Sequence, residues 1–295
     1  MPVTSIRELR ALQEAAHPHV VRLHGVAMGA APEAVFLAFE YCQTDLGRVI
    51  DGLATPMPLS EAKRLMLQLL SALAFLHGRW TVHRDLKPSN VLLDARGALK
   101  ICDFGLARRW APGAARPALT PGATTLWYRA PEVLLGAQDY TGQVDCWAAG
   151  CILAELVKGE PLFPARTELA LAAAVAGLLG APTERIWPGM RALPGASALE
   201  GSRQRHNLLR QARSIVISWV RFPELSANGI DLLNSLLTYD PDKRLTAAEA
   251  LRHPFFLENP LPKAPELMPN FPSLAFTSQT SEAQAQAAPL SAGKR

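Results

Sequence analysis

The stretch VHRDLKPSNVLLDARGALKICDFGLAR, residues 82–108, brings together a set of side chains able to do chemistry. His83-Arg84-Asp85 is followed by Lys87 and Asn90, then by Asp103-Phe104-Gly105, and Ala130-Pro131-Glu132 closes the loop beyond. These residue types suit transfer of a phosphoryl group, a reaction in which the protein mainly positions groups and neutralises charge. Asp85 is placed to accept or orient the proton of an attacking hydroxyl. Lys87, two positions on, is the cation to meet the transferring phosphate. Asn90 and Asp103 offer hard oxygen ligands of the kind Mg²⁺ takes. Any one of these residues alone is an ordinary loop residue; the joint spacing is what carries the reading.

These residues need a scaffold, and the chain supplies its signals. MPVTSIRELRAL opens it as an amphipathic helix expected over 3–16, with Pro2 suited to a first turn and Ile6, Leu9, Leu12 and Ala16 on one face. Two β-type runs are expected at 20–27 and 34–41. Asp45 is expected to cap a short helix, and Ser60 to begin a long one whose Leu65, Leu69, Ala72, Leu73 and Leu76 form a core stripe. Short strands are expected at VLLD and ALKIC, then a polar Pro/Gly-rich segment to Glu132. Helices are expected at 142–158, 168–179, 228–238 and 246–251, around an aperiodic stretch at 181–227. Within that stretch, RSIVISWVRF (213–222) is apolar where a polar connector is expected. From about 258 the chain turns Pro-rich, and its end has the composition of a disordered tail.

Composition narrows the function classes. The chain has 295 residues, 49% of them hydrophobic, enough for a sizeable core, with no apolar run of membrane-spanning length. The N-terminus lacks a secretory h-region. Cys42, Cys102, Cys146 and Cys151 show neither disulfide nor zinc spacing, as expected of reduced thiols in an intracellular protein. A net charge of +4 is too mild to predict direct nucleic-acid binding. Neither nucleic acid nor membrane is therefore an expected partner.

On these motifs the chain resembles the protein kinases, from Pro2 to about Pro272, and Lys87 within HRDLKPSN resembles the serine/threonine type. PVTSIRE resembles the cyclin-binding helix of cyclin-dependent kinases and is nearest the branch named for the spelling PITSLRE. HNLLRQ, DLLNSLLTYDPDKRLTAAEALRHPFF and PLPKAPELMPNFP support that branch, and LTPGATTLWYRAPEVLLG looks like the family's activation segment. The fold class implied is α+β. It comprises a bilobal kinase fold with an incomplete N-terminal lobe at 1–41, a hinge and mostly helical C-terminal lobe at 42–257, and a largely disordered tail at 258–295.

The resemblance implies roles residue by residue. Glu8 sits where the helix C glutamate pairs with a lysine of the third small-lobe strand. Phe39 resembles the gatekeeper, Glu40, Tyr41 and Cys42 the adenine-binding hinge, Asp45 a ribose neighbour, and Leu92 the floor under the adenine of ATP. Leu12, His83 and Phe104 fit the apolar stack between lobes. Glu132 is expected to pair with Arg244, and Asp145 to hold the catalytic-loop backbone. Thr120 matches the activation-loop threonine phosphorylated by an upstream kinase, with Arg7, Arg84 and Arg108 as its phosphate-binding arginines. Thr125 and Arg129 belong to the substrate platform that selects proline, although Thr124 stands where valine is usual. Cys102 is a small core residue or, alternatively, a reactive thiol beside the nucleotide.

The implied activity is cyclin-activated transfer of the ATP γ-phosphoryl group to Ser/Thr of protein substrates, with Mg²⁺, in the nucleus or cytoplasm. The family's glycine-rich loop and third-strand lysine do not occur in the sequence as given. One expectation is an incomplete version of a working kinase begun at an internal methionine. The alternative is a catalytically impaired short form that binds cyclin as a scaffold or inhibitor. The same omission is expected to expose Phe36 and Phe39 as an apolar patch.

Overall fold

A computed structural model of the chain describes residues 16–29, 35–109, 126–200 and 222–271. The helix expected at 3–16 lies almost wholly outside them, with Arg7, Glu8 and Leu12. So do Thr120, Thr124 and Thr125, and all of 213–222 except Phe222, which is fully buried with Lys158 Nζ 5.9 Å from its ring centroid.

A small antiparallel hairpin comes first, β1 (Leu23–Met28) paired with β2 (Val35–Phe39) from Leu23↔Phe39 to Met28↔Val35. The expected first strand began at Val20, but Val20 bridges Ile101 and the Val21 N–H donates to the Ile101 carbonyl at 2.9 Å. That segment is therefore stitched to the larger lobe rather than to the hairpin. On the hairpin, Met28 is 69%, Phe36 62% and Phe39 37% exposed, as expected of the two phenylalanines, but Phe36 and Phe39 alternate along β2 and so lie on opposite faces rather than in one patch.

The chain then enters the larger lobe through β3 (Thr44–Asp45) and α1 (Leu46–Gly52). Asp45 caps α1 as expected, its Oδ1 accepting the Arg48 N–H at 3.0 Å. Helix α2 (Leu59–Gly78) follows, starting behind Pro58 with no side-chain cap rather than at a capping Ser60. Its apolar stripe packs on α4 (Gln143–Lys158). Next come β4 (Thr81–Val82), β5 (Val91–Leu93), β6 (Leu99–Ile101) and β7 (Arg108–Arg109). β3, β5 and β6 form one antiparallel sheet in that order, and β4 pairs with β7.

The remainder is helical: α3 (Pro131–Leu134), α4, α5 (Glu168–Leu179), α6 (Ser197–Glu200), α7 (Ala227–Leu236) and α8 (Ala247–Ala250). Every residue of α4 from Val144 to Val157 is buried, which makes it the axis of the core. Its end is fixed by Gly159 at φ 77°, whose N–H returns to the Glu155 carbonyl at 2.7 Å.

Residues 258–271, counted with the tail in the sequence, hold defined contacts. The Lys263 N–H donates to the Ser60 carbonyl at 2.9 Å, Lys263 Nζ pairs with Glu61 at 2.7 Å, and Met268 is buried. Lys63, a cation inside the α2 core stripe, donates to the Glu258 carbonyl at 3.0 Å and lies over the Phe255 ring. Among the described residues no helix is long and apolar enough to cross a membrane.

Candidate active site

The loop that leaves β4 is built around one buried carboxylate. Asp145, in the first turn of α4, accepts the His83 N–H on Oδ2 and the Arg84 N–H on Oδ1, each at 2.9 Å. Oδ2 also meets His77 Nε2 at 2.9 Å. Burial is the largest single influence and opposes the charge of Asp145, but the His77 hydrogen bond and charge, joined by the Arg84 N–H, together hold the carboxyl below its usual range. His77 mirrors this: burial disfavours its charge, and Asp145 raises its pKa well above the ordinary value. The two form an ion pair at the end of α2 that fixes the loop backbone, including Arg84 at φ 74°.

Gly142 makes room for that pair. Its φ of −56° suits any residue, yet a Cβ there would lie 2.6 Å from the His77 ring. Gly142→Ala is expected to push His77 off Asp145 and destabilise the fold by about 1–3 kcal/mol. Thermal melting checks this; an unchanged melting temperature would show that the ring yields freely.

His83 then links the loop to the segment beyond β6. Its Nε2 lies 2.8 Å from the Cys102 carbonyl, which can only accept, so Nε2 carries the proton. Nδ1 is left to accept the Asp85 N–H at 3.3 Å. The ring sits edge-on to Phe104 at 5.1 Å, so two members of the expected apolar stack are in contact.

The four chemical residues follow from this frame. Lys87 Nζ donates to Asp85 Oδ2 at 2.9 Å. A 3-10 turn, Pro88–Asn90, brings Asn90 Nδ2 to the Asp85 carbonyl at 2.8 Å and to Asp85 Oδ2 at 3.1 Å. The Asn90 carbonyl in turn accepts the Cys102 N–H at 3.0 Å, which sets Asp103 beside the cluster. Asp103 adopts φ 62°, and its Oδ1 accepts the Gly105 N–H at 3.3 Å. Asn90 thus spends its amide N–H groups on Asp85 and keeps Oδ1, while Asp103 keeps one carboxylate oxygen. Two hard oxygens supplied in this way fit Mg²⁺, which takes few protein ligands and completes its shell with water and phosphate oxygens.

Of the residues expected around adenine, Leu92 and Asp45 face each other in the β3–β5 register, and Phe39 ends β2 opposite Leu23. Glu40 uses its carboxylate on the Arg22 N–H at 2.7 Å and on Lys100 Nζ at 2.9 Å. Cys42 is half-buried, and burial followed by the Glu40 charge pushes its thiol up to about 11. Cys102 is partly buried against the core.

Of the residues expected in the substrate platform, Arg129 follows a 3-10 turn, Leu126–Tyr128. Trp127 Nε1 donates to the Ala165 carbonyl at 2.8 Å, and Arg129 Nη1 pairs with Glu168 at 2.6 Å. The Tyr128 hydroxyl donates to Glu155 Oε2 at 2.7 Å, and burial lifts the Glu155 pKa to about 7. Glu132 and Arg244 form the expected pair, doubly bonded at 2.6 and 2.8 Å. Arg108 sits on β7 opposite Val82. The Arg84 side chain donates from Nε to the Tyr140 hydroxyl at 2.8 Å and from Nη1 to the Leu106 carbonyl at 3.2 Å. Sequence reasoning missed His77, Tyr140 and Glu155; no local pattern marks them.

Comparison with known proteins agrees with this geometry. Residues 2–256 match the family model described as the protein kinase domain. The chain is 46% identical over 273 residues to cyclin-dependent kinase G-1 of Oryza sativa subsp. indica, covering 92% of this chain and 39% of that protein. It is 44% identical over 276 residues to probable cyclin-dependent kinase 10 of Dictyostelium discoideum, covering 93% and 72%. It thus spans about two fifths of the rice relative and more than two thirds of the Dictyostelium one. The yeast RNA Pol II CTD kinase CTDK-1 complex includes a chain of the same fold, with TM-score 0.80 and 34% identity over 90% of this chain and 85% of that one. The chain has the bilobal α+β protein-kinase fold, and it belongs to the protein kinase family, among the cyclin-dependent kinases.

Proposed function

We propose that the chain acts as a cyclin-activated serine/threonine kinase, transferring the ATP γ-phosphoryl group to Ser or Thr followed by Pro in protein substrates. The observation that carries this reading is the Asp85 cluster, in which one carboxylate is oriented by Lys87 and Asn90 at 2.9 and 3.1 Å. Asp85 orients the substrate hydroxyl and takes its proton, and Lys87 shares its charge with the transferring phosphate. Asn90 and Asp103 hold Mg²⁺, which when bound neutralises phosphate charge. The Phe39–Cys42 hinge and Leu92 enclose the adenine, and Asp45 lies towards the ribose. Arg129, braced on Glu168, supports the proline pocket with Thr125.

Residues 2–16 are read as the cyclin-binding segment, with Glu8 at the position of the family's helix C glutamate. Thr120 is phosphorylated by an upstream kinase, and Arg7, Arg84 and Arg108 bind the phosphate. The resemblance of PVTSIRE to the PITSLRE branch argues for a nuclear or cytoplasmic role in transcription, RNA processing or cell-cycle control.

The test is transfer of labelled phosphate by the protein isolated with its cyclin from its own cells. Ser-Pro peptides are expected to outpace matched Ser-Ala peptides by about tenfold in kcat/KM, a difference of about 1.4 kcal/mol in transition-state binding. A cyclin complex that forms but transfers no phosphate would overturn the catalytic reading in favour of a scaffold.

A further inference from the structure

The loop between α1 and α2 carries a hydroxyl that its own helix does not use. Thr167, Ser226 and Thr246 each cap a helix, accepting the N–H groups of Ala170, Gly229 and Glu249 at the starts of α5, α7 and α8. Thr55 lies just ahead of α2, yet α2 starts behind Pro58 with no side-chain cap. Every residue from Asp51 to Pro56 is exposed. Of the chain's serines and threonines only Thr55 and Thr120 precede a proline, and Thr120 lies outside the described residues. Pro56 also biases Thr55 away from the helical conformation. An exposed hydroxyl in non-helical chain, followed at once by proline, is the kind of acceptor that the proposed function requires.

The place of this loop decides which active site it can meet. Its far end is tied by the Met57 N–H to the Leu156 carbonyl at 3.2 Å. Pro56 rests on the turn that ends α4, where a Cβ on Gly159 would lie 3.8 Å from Pro56 Cα. The catalytic loop is tied instead to Asp145, in the first turn of α4. From Asp145 to Leu156 the helix axis advances about 16 Å. Helix α1 gives a second measure. A Cβ on Gly47, near its start, would lie 3.6 Å from Pro88 Cβ in the catalytic turn, whereas Thr55 follows its other end. Thr55 is thus held at the opposite end of both helices from Asp85 of its own copy, and the Met57 tie keeps it there.

We propose that Thr55 of one copy is a substrate for the catalytic site of a second copy, so that the chain phosphorylates itself in trans. The inference rests on the reading of the chain as a proline-directed kinase given above, and it names one protein substrate of that site. In the transfer, Thr55 Oγ bonds to the γ-phosphorus of ATP. The bond from that phosphorus to its bridging oxygen breaks and ADP leaves with the electron pair. The hydroxyl proton passes to Asp85 of the copy acting as enzyme.

The experiment uses a cyclin-bound Asp85→Asn copy as acceptor, with ATP and a small amount of the wild-type cyclin complex. A Ser-Pro peptide is present in the same tube, and phosphate at Thr55 is measured by mass spectrometry. Thr55 of the acceptor is expected to gain phosphate at a rate proportional to the wild-type complex. Pro56→Ala in the acceptor is expected to slow this about tenfold, the same factor as between Ser-Pro and Ser-Ala peptides. A phosphorylated peptide beside a bare Thr55 would overturn this inference and leave the proposed function standing. So would phosphate that appears on wild-type Thr55 at a rate per molecule independent of concentration, since that marks transfer within one copy. Failure of both peptide and Thr55 to gain phosphate would overturn the kinase reading and this inference with it.

Discussion

Asp85→Asn is expected to lower kcat for phosphoryl transfer by a factor of about 10² to 10⁴, the usual contribution of a positioned proton acceptor. The fold should not notice the change. Asparagine is isosteric, and its Oδ1 can still accept from Lys87 Nζ and Asn90 Nδ2, which now approach Asp85 Oδ2 at 2.9 and 3.1 Å. The melting temperature should therefore stay within about 2 °C, and KM for ATP within a few-fold. What disappears is the basic oxygen and its charge. A variant that kept more than about a tenth of wild-type kcat would show that Asp85 does not handle the proton. The combination matters: equal losses in kcat and melting temperature would mark Asp85 as a structural anchor for Lys87 and Asn90 instead.

The grouping of side chains at this site was legible because it is local. Asp85, Lys87 and Asn90 span one tight turn, so their spacing alone brings them together. Helix α5 at Glu168–Leu179 and the Asp45 cap were equally local, being set by adjacent apolar and capping residues. The first strand was misplaced because Val20 and Val21 look like any β-branched run. Only the fold reveals that they are claimed by Ile101. The supporting residues are distant in the same sense. His77 and Asp145 are separated by 68 positions, and Arg84 and Tyr140 by 56. A histidine ending a core stripe and a tyrosine in a loop carry no periodicity that announces a partner. Buried Lys63 was invisible for a related reason, since its partner carbonyl belongs to Glu258, in a segment read as tail.

The second large effect lies in the buried Glu132–Arg244 pair, and five donors decide its size. Arg244 Nε donates to the Thr238 carbonyl, Nη1 to Glu132 Oε1 and the Gln143 carbonyl, and Nη2 to Glu132 Oε2 and the Tyr239 carbonyl. Every guanidinium hydrogen is satisfied, and both partners are 2% exposed. Removing one charge strands the other where water cannot reach it, so Glu132→Gln is expected to destabilise by about 3–5 kcal/mol. That is a large share of a typical domain's total stability of about 5–15 kcal/mol. In a domain of this size it corresponds to a fall of about 10 °C in melting temperature. Arg244→Lys should do comparable harm, because an ammonium has three donors for five waiting acceptors. Removing both charges together, as Glu132→Leu with Arg244→Met, should recover much of the loss, since no unpaired charge then remains buried. If the double variant were as unstable as the two single variants summed, Glu132 and Arg244 would contribute independently, and mutual neutralisation would be refuted. Activity should discriminate further. Glu132 lies three residues after Arg129, which the proposed function gives to substrate binding, so even a double variant that melts normally is expected to bind protein substrate less well while its KM for ATP is unchanged.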